Sequence, residues 1–477
     1  MESNKIIPKG LLFPFILLTT LFFAWAVPNN LTDTMLAAFK RIMSMSDSKT
    51  AWIQVVCYLL GYGCCAVPGA LFIKKYTYKS GVMLGLGLYA LGALLFYPAM
   101  LSSGVNIDFS FFMYLLAIFV LFAGLSVLET STNSYVLSIG SESTATRRLN
   151  LSQAFNPFGA ITGVVISQIF ILSQLNGMTA TERAQLPVEE LAAIQGQELN
   201  AVTTAYVLLG LLMLALLLVI RFTKMPNLSE KGEKVEFAAT LRRLIRNKNY
   251  VWGVVAQFFN IGVQIAVWSF VIRYAMVQLD FDGVLASLGD SASADAVVNA
   301  LRGIEPVAAM FYDGCEWFGL DDLLPRTAEQ AGATYYIMSL ILFVIMRFVC
   351  TVMMKYVRAY KILIGLALLA VIFCLGTMLG KGSFGVYCLM GISGCMSLMF
   401  PTIYGFGLTG LGNDTKIGGS FMVMAIAGAA VLTQIQGIVS DQTGSIMAAY
   451  VVPGIAFAVI AYYGFFIARK QELTTIK

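Results

Sequence analysis

Apolar residues dominate this chain in long runs that are separated by short polar segments. Runs of about 18 or more nearly uncharged residues recur along the whole length, and each can cross the roughly 30 Å hydrocarbon core of a bilayer. Gly, Pro, Asn and charged residues mark the breaks between the runs. The pattern predicts twelve spanning helices, near residues 11–39, 51–73, 80–101, 109–138, 149–173, 200–223, 249–277, 334–356, 360–380, 383–409, 416–440 and 446–468.

Lysine and arginine are concentrated in alternate loops of this pattern. The basic loops include Lys74, Lys75 and the stretch 221–248, whereas the longest loop, about 279–333, is acidic. Because Lys/Arg-rich loops stay on the cytoplasmic side of a membrane, this bias places the basic loops and both termini in the cytoplasm. The sequence therefore predicts a multi-pass protein of the cell inner (cytoplasmic) membrane, with the acidic loop outside.

The basic stretch in the middle of the chain divides it into two halves of six helices. We predict an N-terminal six-helix bundle (1–225), a cytoplasmic linker (226–248) and a C-terminal six-helix bundle (249–477) with an extracytoplasmic insertion at 279–333. Weak internal symmetry supports this division, because the first helix (LFFAWAVPNNLTD) and the seventh (QFFNIGVQIAVWS) each carry an aromatic pair followed by amides. Parallel repeats of this kind are typical of membrane transporters. The predicted fold class is an all-α membrane protein.

The composition is typical of a membrane protein, and it excludes several classes of catalytic and metal site. The 477 residues are 58% hydrophobic and 12% charged, about half the charged share of a soluble chain. The sequence has no histidine, which excludes Ser-His-Asp triads and most zinc sites. It also has no P-loop, so ATP-driven transport is unsupported. We expect no enzyme activity, no metal and no cofactor.

Two carboxylates lie inside apolar runs of the N-terminal half, where a charge costs several kcal/mol. Asp33 falls in the outer half of the first helix, and Glu129 falls in the fourth helix within VLETSTNS. A desolvated carboxylate can bind and release a proton near neutral pH, which makes both residues candidates for proton coupling. The alternative is a structural role for each acid. Arg347, inside the eighth helix, fits structural pairing or gating as well as substrate contact.

Neutral amides form a second polar group inside the predicted helices. Amides supply both donors and acceptors, which suits a ring of hydroxyl groups, and Trp268 offers a flat face to such a ring. The alternative is hydrogen bonding between helices. As a group they predict a polar, uncharged ligand. The candidate substrate-binding residues are Glu129, Asn29, Asn30, Asn133, Gln153, Asn156, Gln257, Asn260, Gln264 and Trp268.

Several stretches, taken together, resemble the L-fucose–proton symporter family of the major facilitator superfamily, which is related to bacterial glucose/galactose transporters. The resemblance covers nearly the whole chain. The matching stretches are LFFAWAVPNNLTD (21–33), KKYTYKSG (74–81), GLSVLETSTNS (124–134), RLNLSQAFNPFGA (148–160), QFFNIGVQIAVWSFVIRYA (257–275), FPTIYGFGLTGLGNDTKIGGSF (400–421) and GIVSD (437–441).

The resemblance implies the superfamily fold of twelve transmembrane helices and transport by alternating access, with the proton as the coupling ion. Asp33 and Glu129 match the two key carboxylates of the family, and Asn30 matches an amide beside the first. It implies that Asp33 takes the proton, while Glu129 binds the sugar and links it to the proton. The chain departs from the family in the length of the loop 279–333.

Our hypothesis is a proton-coupled symporter that imports a neutral monosaccharide, with L-fucose as the favoured substrate. One alternative is a transporter of glucose, galactose or another hexose, with sodium as a second candidate coupling ion. An alternative of another class is a membrane sugar sensor without net transport. We expect the monosaccharide and the lipid bilayer as partners, no nucleic acid, and a monomer.

Overall fold

The structure of the protein is a computed structural model. It describes residues 7, 10–43, 45, 52–53, 55–104, 106–171, 183, 185–226, 237–288, 294–325 and 328–475. Within these ranges every regular element is a helix, which agrees with the predicted all-α class.

The helices of the first part of the chain range in length from 6 to 35 residues. One of them begins as a π-helix, Val55–Cys64, before it continues as α2. In chain order they are α1 (Leu12–Ile42), α2 (Cys65–Lys75), α3 (Tyr78–Leu94), α4 (Phe96–Leu101), α5 (Ile107–Ser138), α6 (Ala145–Gln153), α7 (Asn156–Phe170) and α8 (Val188–Phe222).

The described residues of the second part of the chain add twelve more α-helices. They are α9 (Phe237–Arg246), α10 (Lys248–Leu279), α11 (Phe281–Leu288), α12 (Ala294–Ile304), α13 (Pro306–Trp317), α14 (Ala328–Met353), α15 (Ala359–Leu379), α16 (Ser383–Met396), α17 (Met399–Leu408), α18 (Thr415–Met424), α19 (Gly428–Thr443) and α20 (Val451–Thr475).

Eleven segments among the described residues are long and apolar enough to cross a membrane. They correspond to eleven of the twelve predicted spans. The fifth predicted span, 149–173, is divided, because the chain turns at Ala154 and Phe155 between α6 and α7. Pro157 stands in the first turn of α7, where its missing N–H is not needed, so it favours the start of a new helix at this point.

The start of α5 matters for function because this helix carries Glu129. Asn106 precedes the helix, and its side-chain oxygen accepts hydrogen bonds from the backbone N–H groups of Asp108 (2.8 Å) and Phe109 (3.0 Å). These bonds satisfy two N–H groups that have no partner within the helix. The cap therefore defines where α5 begins.

The chain folds into two compact units. The first consists of Met1–Gln257 and Pro401–Ala430, and the second consists of Phe258–Phe400 and Val431–Lys477. The segment Pro401–Ala430 belongs to the first unit because α18 packs against α2 and α5. Polar contacts also hold it there, since the Arg243 guanidinium lies 2.7 Å from the Asp414 carboxylate.

Close packing of α1 against α7 is a second feature of the first unit. A Cβ atom at Gly159 would lie 2.1 Å from the carbonyl oxygen of Phe23. A Cβ atom at Gly163 would lie 2.3 Å from the carbonyl oxygen of Val27. Both distances are far shorter than van der Waals contact, so only glycine permits this approach. The two glycines are four residues apart, which is the spacing that brings membrane helices together.

In the second unit, α15 packs against α16 and α20. The turn between α15 and α16 is tied to the end of α10 by Gln278. Its Oε1 accepts a hydrogen bond from the backbone N–H of Gly382 at 2.8 Å, and its Nε2 donates to the carbonyl of Gly380 at 3.3 Å. Gly382 has φ +58°, a left-handed conformation that favours glycine, so the residue type fits this turn.

The insertion between α10 and α14 is itself helical and contains α11, α12 and α13. Arg302 of α12 joins two of these helices, because its guanidinium lies 3.0 Å from Asp313 and 2.7 Å from Glu316 of α13. The hydrogen bond to Glu316 raises the pKa of Arg302. These ion pairs fix α13 against α12.

Candidate functional site

The buried polar residues of the first unit are concentrated in α5. Residues 129–134 are six consecutive polar residues, and all of them are buried. Glu129 is 6% exposed and Asn133 is fully buried. Because lipid offers no hydrogen bonds, a stretch of this kind persists only where it contacts polar protein groups or water.

Tyr62 is the contact that sequence reasoning missed. Its phenol lies beside the Glu129 carboxyl and beside the Asn29 amide. The ring is held by Tyr58, which stacks at 6.5 Å between centroids, and by Phe122, which meets it edge-on at 6.1 Å. Tyr62 belongs to the π-helical segment, a rare geometry that is frequent at functional sites. It therefore joins α5 to α1.

The polar contacts continue from α5 into α6. Asn133 lies one turn after Glu129 and beside its carboxyl. The Nε2 of Gln153 donates a hydrogen bond to the Oδ1 of Asn133 at 3.1 Å. Polar groups thus run through four helical segments of the first unit. We call this set the N-terminal polar chain; it consists of Asn29, Tyr62, Glu129, Asn133 and Gln153.

Two other predicted amides bond to the backbone of α1. The Nδ2 of Asn156 donates to the carbonyl of Phe22 at 3.1 Å, and the Nδ2 of Asn30 donates to the carbonyl of Ala26 at 2.9 Å. The Asn156 donor joins α7 to α1, as the structural interpretation expects, whereas the Asn30 donor bonds within α1. The amide oxygens of both residues remain acceptors. Asp33 lies in α1, and its side chain is outside the described part of the structure.

The predicted amides of α10 share one helical face. Gln257, Asn260 and Gln264 are spaced three and four residues apart, and this spacing places them on one side of the helix. Gln257 and Asn260 are fully buried, and both amide atoms of each have no hydrogen-bond partner among the described residues. Buried amides are normally paired, so these two have full capacity for hydroxyl groups or water.

Trp268 continues this face of α10 and is half-buried. Its indole N–H donates to the hydroxyl of Ser393 at 3.2 Å, and its ring meets Phe343 edge-on at 5.2 Å. The orientation of the ring is therefore fixed by neighbours.

Gln436 in α19 is a further buried amide whose two polar atoms have no partner among the described residues. Like the other amides, Gln436 lies inside a predicted spanning helix, so the same sequence criterion would have identified it.

Arg347 has a structural contact in the second unit. It is 3% exposed, its Nε donates to the carbonyl of Ser397, and its guanidinium lies 4.7 Å from the centroid of the Phe343 ring. Ser397 follows the last residue of α16, where a helix leaves carbonyl groups without partners in the helix. Arg347 thus supports the break between α16 and α17.

The side chains brought together here suit reversible binding. The N-terminal polar chain contains one carboxylate, a phenol and three amides, which can hold a proton and hydrogen-bond neutral hydroxyl groups. No cluster of three or more potential metal ligands occurs in the part of the chain that the structure describes. The arrangement fits a polar ligand and a proton.

Comparisons with known proteins find similarity to membrane transporters over most of the chain. The Major Facilitator Superfamily model matches residues 14–413. The chain is 34% identical over 475 residues to the L-fucose-proton symporter of Haemophilus influenzae, covering 97% of this chain and 98% of that protein. It is 27% identical over 456 residues to the glucose/galactose transporter of Brucella abortus, covering 95% and 93% respectively. The crystal structure of the Escherichia coli fucose:proton symporter aligns with a TM-score of 0.78 at 32% identity, covering 96% of this chain and 99% of that one.

Proposed function

The chain belongs to the L-fucose–proton symporter family of the major facilitator superfamily, and from this premise we propose that it carries L-fucose together with a proton by alternating access. It is a multi-pass membrane transporter and not an enzyme. The observation that carries the proposal is the 34% identity to a symporter of this sugar over nearly the full length of both chains. Identity to the glucose/galactose transporter is lower, at 27%, which favours L-fucose over these hexoses.

We assign the proton to Asp33 and the link between proton and sugar to Glu129. Glu129 is the one carboxylate of the N-terminal polar chain, and the Tyr62 phenol connects its surroundings to Asn29. Asp33 follows Asn29 by four residues, which is about one turn of the same helix. A change of charge at Glu129 can therefore reach Asn29, one turn before Asp33, through the Tyr62 phenol, which lies beside both Glu129 and Asn29. This supports coupling within the first unit.

We assign recognition of the sugar hydroxyl groups to Glu129 and the amides. The unpaired amide atoms of Gln257 and Asn260 support this role, because a ligand hydroxyl can both donate to and accept from an amide. Asn29, Asn133, Gln153 and Gln264 extend the set. Asn30 and Asn156 contribute through their oxygens, since their nitrogens bond to α1. We assign to Trp268, with its fixed ring, a flat contact for the sugar ring.

We further propose that the protein works as a monomer in the inner (cytoplasmic) membrane with both termini in the cytoplasm. Charge supports this orientation. The linker helix α9 carries Arg242, Arg243 and Arg246, and the residues 279–333 are rich in Asp and Glu. Nothing in the proposed cycle calls for nucleic acid.

Uptake by purified protein in liposomes tests this proposal. Labelled L-fucose, D-galactose and D-glucose are supplied outside, with an imposed pH gradient or a sodium gradient. We expect concentrative uptake of L-fucose that requires the pH gradient and is abolished by a protonophore. Uptake of glucose or galactose in preference to L-fucose would contradict the substrate, and dependence on sodium would contradict the coupling ion. Sugar binding without uptake would support the sensor instead.

A further inference from the structure

One face of α13, in the insertion, exposes large apolar side chains. Met310 is 74% exposed, Trp317 is 81% exposed and Val307 is 37% exposed. Their spacing of three and seven residues places them on one side of the helix. Phe318 follows directly, is 69% exposed, and packs its ring against Trp317 at 4.6 Å. We call these four residues the apolar stripe.

The opposite face of α13 is buried, and its contacts set the depth of the helix. Tyr312 is fully buried and lies beside Thr334 and Tyr335 of α14. In that helix, the described segment that is long and apolar enough to span a membrane starts at Gln330. Thr334 is four residues further, which is about 6 Å along a helix. The middle of α13 therefore lies level with the spanning part of α14.

A second contact holds the beginning of α13 at a similar depth. Glu305 stands immediately before the helix, is 2% exposed, and accepts a hydrogen bond from the hydroxyl of Tyr387. Glu305 does not cap its own helix, although it occupies the N-cap position. Tyr387 lies four residues after Ser383, the first residue of α16, again about 6 Å inside a spanning helix.

Spanning helices of the second unit expose apolar side chains at the same end. Phe384, in the first turn of α16, is 62% exposed, and Leu379, the last residue of α15, is 80% exposed. Val277, near the end of α10, is 60% exposed. In a membrane, exposed apolar side chains of this kind on spanning helices face lipid. The contacts of Tyr312 and Glu305 hold the helix that carries the apolar stripe at this same end of the spans.

The neighbouring helix α12 shows the contrast expected of a water-facing element. Its exposed face carries Asp295, Asn299 and Gly303 and no large apolar residue. The two carboxylates beside the apolar stripe, Asp313 and Glu316, are both paired with Arg302. Their charge is therefore reduced next to the stripe.

We propose that α13 lies in the interface of the lipid bilayer, with the apolar stripe among the headgroups and the upper acyl chains. Tryptophan favours this zone, because its ring is apolar and its N–H can reach water. An interfacial helix with one apolar face lies parallel to the membrane surface. The contacts of Tyr312 with α14, and of Glu305 with Tyr387 of α16, hold α13 close to the ends of these two helices. The insertion is then seated in the membrane and does not stand free above it. This inference is independent of the sugar and of the coupling ion.

Quenching of Trp317 fluorescence tests the location of the stripe. The full chain and its Trp317→Phe variant are reconstituted into vesicles of phosphatidylcholine and phosphatidylglycerol, and the difference in emission gives the contribution of Trp317. Lipids brominated near the headgroup report contact with the interface, and iodide on both sides of the vesicle reports contact with water. We expect the brominated lipids to reduce Trp317 emission by about half, and iodide to change it little.

Gly303→Trp in the Trp317→Phe background is the matched control, because a Cβ atom at Gly303 meets nothing within 4 Å. This tryptophan should be quenched by iodide and not by brominated lipid. If iodide quenches Trp317 as strongly as the control, the stripe faces water and the proposal is wrong. If neither quencher reaches Trp317, protein covers the stripe, as a second copy of the chain would, and the proposal is also wrong.

Discussion

At the scale of single residues, Glu129 stands at the centre of the N-terminal polar chain. Tyr62 approaches its carboxyl from the π-helical segment, and Asn133 approaches from one turn further along α5. Asn133 is in turn held by Gln153. A carboxylate with fixed neighbours keeps one orientation, so it can offer the same acceptors to a sugar in each cycle. Its neighbours should therefore affect sugar binding.

We expect Asp33→Asn to abolish uphill, proton-driven accumulation while it retains sugar binding and exchange. The amide resembles a permanently protonated acid, so the proton can no longer be bound and released. For one proton per sugar, a gradient of about one pH unit supports roughly tenfold accumulation, because tenfold corresponds to about 1.4 kcal/mol. In the variant, the internal sugar concentration should not rise above the external concentration.

Counterflow and pH-driven uptake, measured together in liposomes, check this expectation. Asp108→Asn, at an exposed carboxylate in the first turn of α5, is the matched control and should accumulate sugar like the parent. Accumulation by Asp33→Asn at the level of the parent would mean that Asp33 has a structural role.

We expect Glu129→Ala to weaken L-fucose binding itself, because the substitution deletes a hydrogen-bonding partner of the sugar hydroxyl groups. Calorimetry on purified protein measures this loss, and Glu129→Gln is the conservative comparison. The amide keeps one acceptor and the size of the side chain, so Glu129→Gln should lose less affinity than Glu129→Ala. Equal affinity of Glu129→Ala and the parent would remove Glu129 from the sugar site.

We expect Tyr62→Phe to weaken L-fucose binding while the protein stays folded. The ring still packs against Tyr58 and Phe122, and only the hydroxyl beside Glu129 is lost. A hydrogen bond of this kind is worth about 0.5–1.5 kcal/mol, or roughly a twofold to tenfold change in Kd. Tyr89→Phe removes another buried phenol hydroxyl, which lies beside Tyr206, and should leave Kd unchanged. Equal effects of both variants in calorimetry would exclude a special role for Tyr62.

The sequence identified most of the candidate polar residues but not Tyr62. Glu129, Asn133 and Gln153 stand out because a charge or an amide is costly in an apolar helix. A tyrosine is ordinary there, since its ring is apolar and its hydroxyl is small. Only the fold shows that the Tyr62 hydroxyl meets a carboxylate. Residue type therefore predicts candidates, and contact selects among them.

At the scale of helices, the packing of α1 against α7 positions the segment that carries Asn29 and Asp33. Gly159 and Gly163 make this contact possible, because a side chain at either position would meet the backbone of α1. The division between α6 and α7 was not predicted, because the apolar run passes through the break without interruption.

We expect Gly163→Ala to lower the stability of the protein in detergent. Its Cβ atom would lie 2.3 Å from the Val27 carbonyl oxygen, so one helix must move. Overpacking of this kind costs about 1–3 kcal/mol. Gly365→Ala, on α15, is the matched control, because a Cβ atom there meets nothing within 4 Å. Thermal unfolding should show a lower midpoint for Gly163→Ala alone, and equal midpoints for both variants would contradict the packing argument.

At the scale of the whole molecule, hydropathy predicted twelve spans, and eleven of them correspond to long apolar helical segments among the described residues. The seating of the insertion could not be predicted in this way. It depends on contacts between residues far apart in the chain, such as Glu305 with Tyr387. A loop rich in Asp and Glu suggests a water-facing segment. In the structure, however, Asp313 and Glu316 pair with Arg302, which reduces the net charge beside the apolar stripe.

Orientation in the membrane is tested by thiol labelling of intact cells. We expect Gly303→Cys, in the insertion, to react with a membrane-impermeant maleimide, and Ile245→Cys, on α9, to react only after the cells are opened. The native Cys315 is 4% exposed, and burial raises the pKa of its thiol, so it should react slowly. Labelling is compared with the parent chain. Labelling of Ile245→Cys in intact cells would reverse the orientation.

Proton movement driven by sugar tests the central claim most directly. Proteoliposomes are prepared without a pH or sodium gradient, and L-fucose is added outside while the external pH is recorded. We predict that the external medium becomes more alkaline after L-fucose is added, that a protonophore abolishes this change, and that Asp33→Asn does not show it. L-fucose that enters the liposomes with no proton movement would contradict proton-coupled symport by this protein.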